Sequence, residues 1–260
     1  MDNETEINVE LTGEGQAVLL VHGFLENAGM WQSLMPAFHG RQVIIPELPG
    51  HGHSQWVDEP VSMEYFADLL ADILDAVEVE SADIIGHSMG GYAACALLER
   101  HPDRVNSLCL YHSSARADSA EKRVLRDRAI EAVKENQRLY AGSMIRGLFS
   151  AQKRRMLESD IARLVDEAAA MSPETITGCL AAMRDRNDRS DIVKNAEIRT
   201  AYLLGTDDER LPEADMKKEV IATEAAHHLF LNGVGHMSQL ESPQAAIAFF
   251  EEWLSLNVRS

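Results

Sequence analysis

Apolar positions fall into two alternating rhythms along the chain. Ala17-Val18-Leu19-Leu20-Val21 is an unbroken apolar run ended by His22-Gly23, the pattern of a strand covered on both faces that stops at a sharp turn. Helical spacing over 30–38 leads to a second strand, 42–45, closed by Pro46, and then to a loop over 47–60 dense in Gly, Pro and His. Tyr65, Phe66, Leu69, Leu70, Ile73, Leu74 and Val77 recur at helical spacing behind Ser62, which is placed as an N-cap. A short apolar strand, 82–85, runs into Gly86-His87-Ser88-Met89-Gly90-Gly91, and 92–100 is rich in helix formers. Residues 105–111, 200–204 and 229–231 read as further strands, with a final helix starting near Pro243. Strands alternating with helices predict an α/β fold: a mostly parallel central sheet with helices on both faces.

One stretch breaks this alternation. Residues 117–195 offer no strand and are charged, rich in Ala and Met, and helical throughout, with helices expected over 121–139, 151–171 and 173–183. Separators are expected at Gly142 and Ser172-Pro173. The sheet resumes at Thr200, so the expected division is a core of 1–114 and 196–260 with a helical cap, 115–195, inserted over the carboxyl ends of the strands, where open α/β sheets place their ligand crevice.

Composition narrows the function classes more than the fold. With 45% hydrophobic and 25% charged residues the 260-residue chain is an ordinary globular one. A formal net charge of -18 argues against nucleic-acid and anionic-membrane partners, both of which call for basic patches. Cys95, Cys109 and Cys179 are odd in number and lack metal-type spacing, so a disulfide framework is not expected. The first nine residues are acidic and polar and lack the positively charged and apolar regions of a leader, and no run of 18 apolar residues occurs, which makes the cytoplasm the expected location.

The candidate chemistry centres on Gly86-x-Ser88-x-Gly90. This spacing, between a strand and a helix, is that of a strained turn that pushes a serine hydroxyl out at the sheet edge, with glycines where neighbouring backbone passes close. An ordinary helix N-cap is the competing role for Ser88. A serine hydroxyl is a poor nucleophile until a base takes its proton, and that base needs a carboxylate to orient it. Of ten histidines, His236 stands out, on a Gly233-Val234-Gly235 turn after a late strand. His22 adjoins a turn suited to backbone donors. His227 and His228 read as preceding their strand, and His39, His101 and His112 read as surface or packed residues. Asp207 and Asp208 both follow the apolar strand ending at Gly205, and spacing does not choose between them.

These segments together resemble the α/β-hydrolase fold superfamily, in the branch of small capped esterases, over about 16–254. The resemblance implies the order Ser88, Asp208, His236 for nucleophile, acid and base, with Asp207 the alternative acid. It implies that the backbone N–H groups of Phe24, in His22-Gly23-Phe24, and of Met89 form an oxyanion hole. Pro49-Gly50-His51-Gly52-His53-Ser54 matches a family loop, although Glu47 stands where Asp is common. Relatives that break carbon–halogen or epoxide bonds carry Asp at the elbow, where this chain has Ser88. The expected activity is hydrolysis of small-molecule esters with short to medium acyl chains through an acyl-enzyme, with no metal or organic cofactor. The acidic trio Asp207, Asp208 and Glu209 lacks companion metal ligands. Leu25, Met144, Leu148 and Met237 are candidate pocket residues. Carbon–carbon bond hydrolysis, a menaquinone-pathway-like lyase, and a ligand receptor with negligible turnover are the alternatives on the same fold.

Overall fold

The computed structural model describes residues 6–57, 59–225 and 227–256. The first five residues of the segment read for a leader therefore lie outside the described part. A seven-stranded sheet runs in the order β1-β3-β2-β4-β5-β6-β7. Its strands are β1 (Val9–Thr12), β2 (Gln16–Val21), β3 (Arg41–Pro46), β4 (Ala82–His87), β5 (Val105–Tyr111), β6 (Arg199–Gly205) and β7 (His227–Leu231). All neighbours pair in parallel except β1, which runs antiparallel to β3 at one edge.

Period-two alternation divides the strand residues between two apolar layers. Leu19, Val21, Ile44, Ile84, Leu108 and Leu204 face α1 (Met63–Ala76) and α2 (Met89–Arg100). Val18, Leu20, Val43, Ile45, Cys109 and Leu203 face the opposite layer, which contains a 3-10 helix (Ala28–Phe38) and the last helix, Pro243–Ser255. Helices on both faces explain why the central strands carry continuous apolar runs. All three cysteines are buried and free, and burial pushes the Cys95 thiol up to about 12.

Several elements differ from the sequence expectation, each for a local reason. β1 went unread because it pairs on one side only and leaves Leu11 exposed, so it carries no burial rhythm. The 28–38 segment winds as a 3-10 helix containing Pro36, which cannot donate a backbone hydrogen bond, and starts at an Asn27 side chain that accepts from the Gly29 amide. Ser62 does cap α1, accepting from the Tyr65 amide at 3.1 Å. His227 and His228 open β7 rather than precede it, at the end of the strand remote from the carboxyl edge.

Between β5 and β6 lie α3 (Ala120–Arg146), α4 (Glu158–Ala170), α5 (Pro173–Asp185) and α6 (Ser190–Asn195). The break in α3 falls at Asn136, whose backbone is extended, and not at Gly142, which stays helical. Turns occupy 151–157, where helix was expected. Two buried arginines fasten the base of this segment. Arg186 pairs with Asp118 at 2.7 Å and lies 3.8 Å over the Tyr92 ring of α2. Arg189 reaches between α1 and α2 to Glu64 at 2.5 Å and Glu99 at 2.8 Å, while its own amide bonds to the Ala115 carbonyl at 2.8 Å. The remaining helices among the described residues are α7 (Glu213–Ala222), α8 (Ser238–Glu241) and α9 (Pro243–Ser255). No helix among the described residues is long and apolar enough to cross a membrane.

Candidate active site

Ser88, Asp208 and His236 follow the carboxyl ends of β4, β6 and β7, so three parallel strands deliver them to one edge of the sheet. Ser88 has φ 50° and ψ -114°, a left-handed backbone that a non-glycine residue adopts only under strain. Sterics around it demand glycine. A Cβ on Gly86 would lie 2.5 Å from the Gly90 carbonyl oxygen, and one on Gly90 would lie 2.3 Å from that of Val21. The turn is fixed by the Ser88 amide donating to the Tyr111 carbonyl at 3.0 Å and by the Ser113 hydroxyl donating to the Ser88 carbonyl at 2.7 Å. The Ser88 hydroxyl makes no capping bond to α2, although the residue occupies the N-cap position, so it is not spent on the helix. Ser88 stays partly exposed between buried His87 and buried Met89.

Asp208 Oδ2 lies 2.6 Å from His236 Nδ1, and Asp208 Oδ1 accepts from the amides of Arg210 at 2.9 Å and Leu211 at 3.3 Å. Burial alone would raise this carboxyl's pKa; its neighbours, His236 foremost, outweigh that and hold the group well below the usual carboxylate range. Asp207 is exposed, with its carboxylate against the Thr206 hydroxyl at 3.3 Å. The geometry therefore puts Asp208, not Asp207, on the histidine. The His236 loop is itself pinned: its amide donates to the Leu148 carbonyl at 2.7 Å, and buried Glu241 accepts from the Gly235 amide at 3.1 Å.

Ser88 and His236 line one cavity of about 360 Å³, with Phe24, Tyr92, Met144, Leu148, Leu180 and Met183 among its apolar walls. Of the four pocket candidates, Met144 and Leu148 line it. Leu25 and Met237 do not; they are buried and border two separate surface recesses, of about 440 and 230 Å³. Phe24 lies on the turn after β2 and Met89 follows Ser88 directly, and a Cβ at Gly23 would sit 3.2 Å from the Ser88 Cβ. Met89 is the first residue of α2, so its N–H has no intrahelical acceptor. At the cavity mouth stand exposed Lys122 and Arg210, the Lys122 ammonium donating to the Arg210 carbonyl at 3.2 Å. Neither has a carboxylate partner among the described residues, whereas Arg126, on the same wall, is committed to Asp118 at 3.0 Å.

Several polar residues behind the site were missed or dismissed in the sequence. His112 is wholly buried, with Nδ1 3.4 Å from the same Asp208 oxygen that serves His236. His87 is paired with Glu26 at 2.7 Å, both buried. The position of His87 inside the elbow was the available signal; Glu26, three residues after Gly23, carried none that a single sequence reveals. Glu47 accepts from the amides of His53 at 2.7 Å and Ala28 at 3.2 Å and from the Asn8 side chain at 3.0 Å, so it knits loops together. Ligand atoms of His112, Asp208 and His236 fall within 4.8 Å of one another, but the 2.6 Å contact fills the space between Asp208 and His236 with a proton, which fits a hydrogen bond and not a bridging ion. The acidic trio does not converge either, since Asp207 and Glu209 are exposed while Asp208 points inward.

The profile of the alpha/beta hydrolase fold family matches residues 16–243. Similar curated proteins include a pimeloyl-[acyl-carrier protein] methyl ester esterase of Neisseria meningitidis, 42% identical over 105 residues, which are 40% of this chain and 39% of that one. A 2-hydroxymuconate semialdehyde hydrolase of a Pseudomonas species is 36% identical over 115 residues, 41% of this chain and 40% of that one. The matched stretch thus spans about two fifths of the length of these relatives. Among solved structures, a thermophilic esterase from Thermogutta terrifontis superposes with a TM-score of 0.89 at 29% identity, covering 97% of this chain and 94% of that one. An enol-lactonase from Burkholderia xenovorans, with a TM-score of 0.87 at 23% identity over 97% and 98% of the two chains, shares the fold.

Proposed function

Since the chain belongs to the alpha/beta hydrolase fold family, we propose that it is a serine hydrolase cleaving carboxylic esters through an acyl-enzyme on Ser88. The observation that carries this reading is the pairing of an uncommitted Ser88 hydroxyl with a His236 that shares its cavity and is held by Asp208 at 2.6 Å. Asp208 accepts a hydrogen bond from Nδ1–H of His236 and so leaves Nε2 to take the serine proton as Oγ attacks the carbonyl. The Phe24 and Met89 amides receive the oxyanion of the tetrahedral intermediate. Its collapse expels the alcohol, protonated by His236, and water deprotonated by the same histidine then releases the acid.

The helical segment 115–195 serves as the cap that shapes the pocket. Apolar walls within a cavity of about 360 Å³ favour a short to medium acyl chain, and Lys122 and Arg210 at its mouth, without a carboxylate partner among the described residues, favour an ester whose far end is anionic. Similarity to a 2-hydroxymuconate semialdehyde hydrolase supports a second reading, hydrolysis of a carbon–carbon bond on the same three residues.

The test is a time course with p-nitrophenyl esters of increasing acyl length, comparing the wild type with Ser88→Ala. Turnover by the wild type alone, with an optimum at short or medium chains, is the expected result. A wild type inert towards every ester yet active on a vinylogous diketone acid overturns the esterase reading in favour of the second.

A further inference from the structure

Glu26 and His87 are each about 1% exposed and have no place in the proton transfers above. Their contacts join the turn after β2, the elbow after β4 and the loop after β7. Glu26 Oε2 accepts from the Gly23 amide at 2.7 Å and faces His87 Nδ1 at 2.7 Å, while His87 Nε2 faces the His236 carbonyl at 3.0 Å. The Gln239 side chain, on α8, donates to Glu26 Oε1 at 3.4 Å. Gly23 has no space for a side chain, because its Cβ would lie 2.4 Å from Glu26 Oε2 and 2.7 Å from His87 Nδ1. The carboxylate and imidazole are therefore wedged between the turn after β2, the elbow after β4 and the base loop after β7.

Both partners of the His87 ring are acceptors. A carbonyl oxygen can only accept, and so can an ionised carboxylate, so the ring must donate from both nitrogens and is an imidazolium. The surrounding charges agree: burial opposes the charged ring, but Glu26 outweighs it and raises His87, and burial opposes the Glu26 carboxylate, but His87 outweighs it and lowers Glu26. The other titratable groups facing the pair are His22, His51, Tyr111, His112, His236 and Asp208. Of these, His22 is satisfied as a neutral ring, with Nδ1 donating to the Gly23 carbonyl at 2.8 Å and Nε2 accepting from the Leu48 amide at 2.9 Å.

A buried ion pair gives little net stability for its desolvation, so its worth lies in the geometry it fixes. Here that geometry is the oxyanion hole. Glu26 closes a turn on Gly23 at both ends, its side chain taking the Gly23 amide and its own amide donating to the Gly23 carbonyl at 3.4 Å. Leu25 is held within that turn at φ 64°. With the Gly23 amide spent, the next one, Phe24, is the amide left for substrate. We propose that Glu26 and His87 are positioning residues, a carboxylate–imidazolium clasp that locks the Phe24 and Met89 amides and the His236 loop into one frame around Ser88. This proposal rests on the serine-hydrolase reading for its kinetic consequence, but not for the charge state of the clasp.

Glu26→Gln tests it, because a neutral amide oxygen at the Oε2 position can still accept from the Gly23 amide but no longer offsets the charge of an imidazolium at His87. The expected result is a fall in kcat of about 10²-fold with KM changed by less than about 3-fold, as for loss of an oxyanion donor. Affinity for an alkyl boronic acid, which forms a tetrahedral adduct on serine, falls by the same factor, and affinity for the carboxylate product does not. A wild-type kcat in a folded Glu26→Gln protein overturns the proposal. Nitrogen-15 NMR of histidine-labelled wild type at about pH 7.5, where an ordinary histidine is mostly neutral, reads the charge state without an activity assay. It should show one histidine protonated on both ring nitrogens, absent in His87→Gln; a His87 with one bare nitrogen overturns the clasp. Labelling by a fluorophosphonate separates the two readings. A wild type that neither labels at Ser88 nor turns over esters removes the hydrolase reading, while the NMR result still decides the ion pair.

Discussion

His112 Nδ1 stands 3.4 Å from Asp208 Oδ2, the oxygen already bonded to His236 at 2.6 Å. The Ser238 hydroxyl donates to Tyr111 at 2.8 Å, so its oxygen is left to accept from His112 Nε2 at 2.9 Å. Neutral His112 therefore turns a bare Nδ1 toward the carboxylate. Burial pushes the imidazole down to about 4, against the pull of Asp208. Below about pH 6.5 the unfolded chain takes up a proton here that the folded protein refuses, so this contribution to stability is complete above that pH and is lost as pH falls toward 4. A loss on the order of 3 kcal/mol across that window is expected from this residue. Urea denaturation at a series of pH values checks it, with a flatter profile for His112→Asn.

Two adjacent acids separate cleanly. Asp208→Asn should lower kcat by about 10⁴-fold, because the amide favours the wrong tautomer of His236. Asp207→Asn, altering an exposed side chain, should stay within about 3-fold of wild type, as surface substitutions do. Equal losses in steady-state assays of the two variants would undo the assignment of Asp208.

Glycine matters at the elbow and not in the middle of α3. Gly90→Ala drives a methyl to within 2.3 Å of the Val21 carbonyl, on the neighbouring strand, and should destabilise the fold by about 3 kcal/mol. Gly142→Ala meets only Val165 Cγ1 at 3.9 Å and sits in a helix, so it should stabilise by up to about 1 kcal/mol. Thermal or urea denaturation of the two variants reads both signs.

Charge at the cavity mouth predicts substrate preference. Removing both cations in Lys122→Ala/Arg210→Ala should raise KM for a dicarboxylic half-ester by about 10-fold, equivalent to about 1.4 kcal/mol. KM for a neutral ester of the same acyl length should stay constant. A uniform change for both substrates would show that the two cations do not read the substrate's charge.

The central strands were legible because β2, β4, β5 and β6 are covered on both faces and so write burial directly as apolar runs. β1 was not, since its partner supplies backbone bonds rather than a buried face. Ser88 and His236 were legible from local turns rich in glycine. His112 was not, because what sets it apart is an oxygen brought in from β6, almost 100 residues away. Leu25 and Met237 had the right chemistry and wrong placement for the same reason: pocket membership depends on the path of α3 to α5 above the sheet. The break at Asn136 is likewise a tertiary choice, as Gly142, the weaker helix former, stays wound.

The backbone bond between Arg189 and Ala115 joins the two ends of the long excursion between β5 and β6, and Asp118 with Arg186 repeats the closure one layer farther out. What leaves the sheet there returns within one hydrogen bond of its point of departure. The sheet thus carries these helices as a socket carries a fitting. Helices of other lengths, spliced between Asp118 and Arg186, would leave the strands that hold Ser88 in place but would have to supply anew the carbonyl that Leu148 offers the His236 amide.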